Sequence, residues 1–113
     1  MSKENGLYNI EIGGKTFEFI VNYKCIKALD ELHKDGLYDI FVTKVSLLKA
    51  PVSLIVKIYH ASMTSMGDKR FTEDEVGEMV MKDGLMVHAK RCMDYITFVM
   101  KSGEIESDVP QKK

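Results

Sequence analysis

Residues 7–21, LYNIEIGGKTFEFIV, constrain the fold more than any other stretch. A two-residue turn at Gly13-Gly14 sets Ile12 opposite Lys15, Ile10 opposite Phe17 and Tyr8 opposite Phe19. Side chains alternate across a strand, so one face then carries Tyr8, Ile10, Ile12, Phe17 and Phe19, and the other Asn9, Glu11, Thr16 and Glu18. Both arms agree on that one register, and Gly-Gly supplies the positive φ angles of a type I′ turn. A lone hairpin is marginal in water, so its apolar face must be covered by helices or by another subunit. Its two unpaired edges make a homo-oligomer a natural expectation.

The rest of the chain supplies about five helices. Asn22 caps a helix expected from Tyr23 to about Lys34, with Cys25, Ile26, Leu29, Leu32 and His33 on one face. Lys27 to Glu31 and Asp30 to Lys34 stand at supporting i,i+4 spacing on the other, and Gly36 is the expected stop. In LYDIFVTKVSLLK, Leu37, Ile40, Phe41, Val45 and Leu48 fall at helical spacing. Pro51 suits the first turn of the next helix, VSLIVKIYHASM, which holds one charge, Lys57, and is apolar nearly all round. Such a helix belongs at the centre of the fold.

Thr72 and Glu75 form a capping box, with Phe71 and Val76 as its hydrophobic staple. Glu73, Asp74 and Glu75 complement the positive end of the dipole of that helix. Val76, Met79 and Val80 face inward, Gly77 permits close packing, and Gly84 ends the helix. A final helix is expected from Leu85 to about Lys101 with Leu85, Ala89, Cys92, Ile96 and Val99 as its stripe. The expected fold class is therefore α+β, mainly α: a hairpin over about residues 7–21, then helices over 23–101 packed around a buried central helix. Residues 1–101 form one globular domain, a size the length of 113 residues allows, and 102–113 a polar, disordered tail.

Charge and cysteine content narrow the function classes. Sixteen Lys and Arg against 17 Asp and Glu leave no broad basic field, which argues against a nucleic-acid-binding protein. Lys82, His88, Lys90 and Arg91 form at most a local basic patch. Cys25 and Cys92 sit among apolar neighbours and read as reduced, buried thiols. MSKENGLYNI has no apolar core of a signal peptide, and no apolar run reaches about 18 residues, so a cytoplasmic protein with no membrane association is expected.

The motifs that suggest chemistry do not hold. An EF-hand loop starting at Asp83 would place Leu85, Val87 and His88 where calcium needs oxygen donors and a glycine. GGKT lacks the earlier glycine of a P-loop, since Asn9 stands there, and a strand follows it rather than a helix. His60, Met63 and Met66 lie three residues apart and offer soft donors of the kind that hold Cu(I), but methionine at this spacing is ordinarily core filling. His33 and His88 have no Asp or Cys at a catalytic spacing, and no nucleophile elbow is visible. No cofactor, metal or catalytic residue is expected, and the chain reads as non-enzymatic.

Methionine is the exception to this blandness. Of eight, seven fall in the C-terminal half: Met63, Met66, Met79, Met81, Met86, Met93 and Met100. Flexible thioethers suit surfaces that repack around varied partners. Met81 and Met86, flanking the turn at Gly84, are the best candidates for partner contact, followed by Met63 and Met66.

In order, the chain gives the hairpin IEIGGKTFEFIVNY, then KCIKALDELHKDG, PVSLIVKIYHASM, FTEDEVGEMVMKDG and a closing helix. This layout resembles the tail assembly chaperones of long-tailed bacteriophages and the related proteins of prophages and gene transfer agents. Gly13, Gly14, Lys15 and Phe17 match that family's glycine hairpin. Leu29, Asp30, Leu32 and Gly36 match its following helix. Thr72, Asp74, Glu75, Val76, Met79, Val80 and Gly84 match its later capped helix. The family's Ala-rich central helix is bulkier here, LIVKIY. The resemblance implies a cytoplasmic, non-enzymatic protein of virion assembly. Such a protein binds the helical tape measure protein and, through a C-terminal extension made by frameshifting, the tail tube protein. A structural tail completion or minor virion component is the alternative, with a small regulatory nucleic-acid-binding protein behind it.

Overall fold

The computed structural model describes the backbone of residues 6–111 and side chains through residue 102. Strands β1 (Leu7–Ile12) and β2 (Lys15–Ile20) pair antiparallel in the expected register, with Ile12 opposite Lys15, Ile10 opposite Phe17 and Tyr8 opposite Phe19. Gly13 and Gly14 take φ of 63° and 83°, the left-handed values of a type I′ turn. Ile10, Ile12, Phe17 and Phe19 are buried, while Asn9, Glu11, Thr16 and Glu18 are exposed. Helices of the same chain cover the apolar face: Tyr95 meets Tyr8 in a tilted contact and Phe19 edge-on, at centroid distances of 5.2 and 5.1 Å.

Helix α1 (Tyr23–Asp30) begins as expected, with Asn22 Oδ1 accepting from the Cys25 N–H at 3.0 Å. It stops one turn before Lys34. The Asp30 carboxylate, expected to pair with Lys34, instead accepts from the backbone N–H of Leu37 at 2.7 Å. Side-chain capture of a backbone donor competes with helix continuation. The Lys27–Glu31 pair is present at 3.4 Å.

Helix α2 (Gly36–Ile40) runs into a π-helical turn, Phe41–Val45. A π turn takes more residues than an α turn, so the apolar phase slips. Ile40 and Val45, five apart, are both buried, whereas Leu48 is 51% exposed at φ 58° rather than part of the inner face.

Helix α3 (Val52–Ser65) starts just after Pro51, which stands at the N-cap. It is the central element and packs on α1, β2 and the two helices that follow it. Ile55, Val56, Ile58, Tyr59, Ser62 and Met63 are buried. In α4 (Glu73–Asp83) both halves of the capping box form: Thr72 Oγ1 accepts from Glu75 N at 3.1 Å, and Glu75 Oε1 from Thr72 N at 2.8 Å.

Gly84 turns the chain into α5 (Leu85–Gln111). Its buried stripe is His88, Cys92, Tyr95, Ile96 and Val99, while Leu85, expected in it, is exposed. Counting apolar residues alone passes over His88 and Tyr95, which set the phase of the stripe. The helix also continues past Lys101 into the segment expected as a disordered tail. One glycine and no proline stand between Lys101 and Pro110, and a single glycine weakens a helix by only about 1 kcal/mol. Both cysteines are free and buried, and burial pushes the Cys92 thiol up to about 12. No described helix is long and apolar enough to cross a membrane. The fold is α+β, mainly α, with one hairpin and five α-helices among the described residues.

Candidate functional site

A groove of about 660 Å³ runs between the N-terminal half of α3 and the outer face of α4. The two helices lie in opposite directions there, with Lys57 Nζ 3.2 Å from Glu73 Oε2 and Val56 beside Gly77. Val52, Val56, Gly77 and Met81 line it with apolar surface, and Ser53, Glu73, Asp74 and Glu78 supply the polar remainder. Met81 is 59% exposed at its end.

Gly77 lies on the floor of the groove. The expectation that it permits close helix packing does not match the geometry. A Cβ placed there would meet Val56 at 3.7 Å, an ordinary van der Waals contact. Helix packing therefore tolerates alanine, which would be favoured by about 1 kcal/mol in an exposed helix. The missing side chain leaves a recess between Val56 and Met81.

The acids around the groove are not equivalent. Glu75 belongs to the capping box and Glu73 to the pair with Lys57. Asp74 and Glu78 are exposed, one turn apart, and neither forms an ion pair among the described residues. Like charges at i,i+4 repel by a few tenths of a kcal/mol, and Lys82, one turn beyond Glu78, forms no ion pair with it among the described residues, so this edge of the groove favours an incoming cation.

The inner side of α4 is tied down by a relay that sequence spacing did not reveal. Asp83 Oδ2 accepts from the Gly13 N–H at 2.8 Å and from His88 Nε2 at 2.7 Å, with Arg91 Nη1 at 3.5 Å. Burial holds the Tyr59 phenol protonated, well above its usual range. Its hydroxyl is hydrogen-bonded to His88 Nδ1 across 2.9 Å. The Asp83 carboxyl is held below the usual carboxylate range, first by the Gly13 N–H and then by His88. The constellation has the composition of an acid–base relay, yet His88 is 0% exposed. Its reach is to the hairpin turn, α3 and α4, so it acts as a lock. A second buried chain links Tyr95 to Ser62 at 2.7 Å, and Ser62 to the Ile58 carbonyl at 2.9 Å. The Cys25 thiol lies 3.5 Å from the Tyr95 hydroxyl.

The four methionines expected at a partner surface divide. Met81 lines the groove. Met86, 82% exposed, stands beyond the Gly84 corner and does not line it. Met63 is only 1% exposed, a core residue, because it projects from the most enclosed helix of the fold. Met66 is half-buried at the C-cap of α3, away from the groove.

The local basic patch around Lys82 and Lys90 is also broken up. His88 is buried, and Arg91 donates to the Glu11 carbonyl at 2.8 Å. His33, expected without a partner, has Asp39 Oδ2 at 2.7 Å from its Nε2 and Asp35 Oδ2 at 4.0 Å. Donor atoms of these three lie within 4.8 Å of one another, the spacing of a divalent-ion site. The His33–Asp39 hydrogen bond already accounts for their approach.

Val52, Gly77, Asp74 and Glu78 form one surface that sequence spacing alone does not bring together. Their signal was a glycine inside an otherwise well-capped helix, which local stability disfavours. Comparison with protein-family models, with curated proteins and with solved structures finds no match to this chain.

Proposed function

We propose that the protein is a non-enzymatic phage or prophage tail assembly chaperone that binds the helical tape measure protein and assists tail tube assembly in the bacterial cytoplasm. The observation that carries this reading is the α3–α4 groove, apolar along its floor and bounded at one end by an exposed thioether. A client helix presents apolar side chains at i, i+3, i+4 and i+7, and a trough between two helices receives such a ridge. Met81 adapts its shape to side chains of different size. The family resemblance of the hairpin and the capped helix supports the same role.

Co-expression tests it. A helical tape measure fragment that is insoluble alone should become soluble with this protein and co-purify with it. Unchanged solubility contradicts the reading. Mass spectrometry of purified virions separates a chaperone, scarce or absent there, from a structural tail component that stays in the particle.

A further inference from the structure

Resting on the client-binding reading, we propose that the α3–α4 groove is selective for a basic amphipathic helix: an apolar ridge flanked by Lys or Arg. Two independent features point to this partner. The first is shape. Gly77 leaves a recess between Val56 and Met81 that a Cβ would begin to fill, and the packing of α3 on α4 does not require it. A large apolar side chain of the partner enters there, with Val52 and Met81 on its flanks.

The second is charge. Glu73 is neutralised by Lys57 and Glu75 is used in capping, which leaves Asp74 and Glu78 as the carboxylates without an ion pair among the described residues of the groove. They stand one turn apart on the same edge. A lysine or arginine placed one turn from the partner's apolar ridge reaches both carboxylates, relieving their repulsion. An acidic helix with the same ridge meets that repulsion instead. Part of the interaction is exposed, so it weakens with salt, while the apolar part does not.

The test uses the full chain and two fluorescently labelled helical peptides with the same leucine ridge, one flanked by lysines and the other by glutamates. Fluorescence anisotropy should show the lysine peptide binding about ten-fold tighter or more at low salt. That ratio should collapse in the double variant Asp74→Asn, Glu78→Gln, which leaves the apolar floor intact. Gly77→Leu, its fold checked by circular dichroism, should weaken both peptides, and Met81→Lys should weaken the lysine peptide most.

Equal binding of the two peptides, or tighter binding of the glutamate peptide, overturns the charge selectivity and leaves the chaperone reading standing. Binding that Gly77→Leu does not alter, or the binding of neither peptide, overturns the groove as the site; co-expression with the tape measure fragment then decides the wider reading separately. Concentration-dependent self-association abolished by Gly77→Leu would identify the occupant as a second copy of this chain and overturn the proposal as well.

Discussion

The two faces of α4 make opposite use of one helix. Inward, Val76 and Val80 are fully buried, and Asp83 at its end is bonded to the hairpin turn and to a buried histidine. Outward, Gly77 supplies no side chain, Met81 is exposed, and Asp74 and Glu78 stand without ion pairs among the described residues. The inner face carries the buried contacts that hold the helix, and the outer face adds only the exposed Lys57–Glu73 pair. The outer face is then free to carry features that local stability disfavours, and a groove held by such a lock is preorganised for its partner.

The comparison breaks first at the hairpin turn. A Cβ at Gly13, already at positive φ, would lie 2.6 Å from the Met79 Cβ and 3.1 Å from its Cα. Gly13→Ala should destabilise by about 4 kcal/mol in urea denaturation, combining backbone strain with overpacking. Gly14→Ala, with positive φ but open space around it, should lose only about 1 to 2 kcal/mol. Equal losses at the two glycines would mean that the turn is not seated on α4.

Next in size is the relay. His88→Ala removes a buried ring and leaves Tyr59 and Asp83 without their shared partner, an expected loss of about 3 kcal/mol. Tyr59→Phe removes one buried hydrogen bond and should lose about 1 to 2 kcal/mol. Thermal unfolding of the two variants checks the order.

The pH dependence sharpens the same face. The folded Asp83 carboxyl titrates below its unfolded value of about 4, so its stabilisation is full above that value and is lost as pH falls through the lower folded one. Denaturation midpoints measured between neutral pH and about pH 3 should fall less steeply in Asp83→Asn than in the native chain. An identical acid slope would remove Asp83 from the lock.

The smallest effect carries the opposite sign. Gly77→Ala should raise stability by about 0.5 to 1 kcal/mol, because the helix gains and the contact with Val56 is unstrained. Destabilisation there would restore a packing role for Gly77 and weaken the case for the groove.

The locally determined parts of the fold were legible in the sequence. Hairpin register follows from alternation on both arms, the Asn22 cap and the Thr72–Glu75 box from residues three apart, and the central place of α3 from its lack of charge. The misplaced features depend on distant partners. Asp30 ends α1 because it finds the N–H of Leu37, and the π turn at Phe41–Val45 shifts the apolar phase that left Leu48 outside. His88 and Tyr95 were absent from the expected α5 stripe because their polar atoms find partners on other elements, Tyr59 and Asp83 for the one and Ser62 for the other. Of the site, exposed Met81 was legible beside the Gly84 turn. The groove was not, since it needs α3 and α4 side by side.

In the proposed role a helical client occupies the groove over Gly77. Size-exclusion chromatography with light scattering tests it most directly, on the native chain and on Gly77→Leu, each alone and co-expressed with a helical tape measure fragment. A stable larger complex is expected with the native chain, and its loss when leucine fills the recess of a still-folded protein. A native chain that elutes unchanged beside the fragment, or a complex indifferent to the leucine, would contradict it.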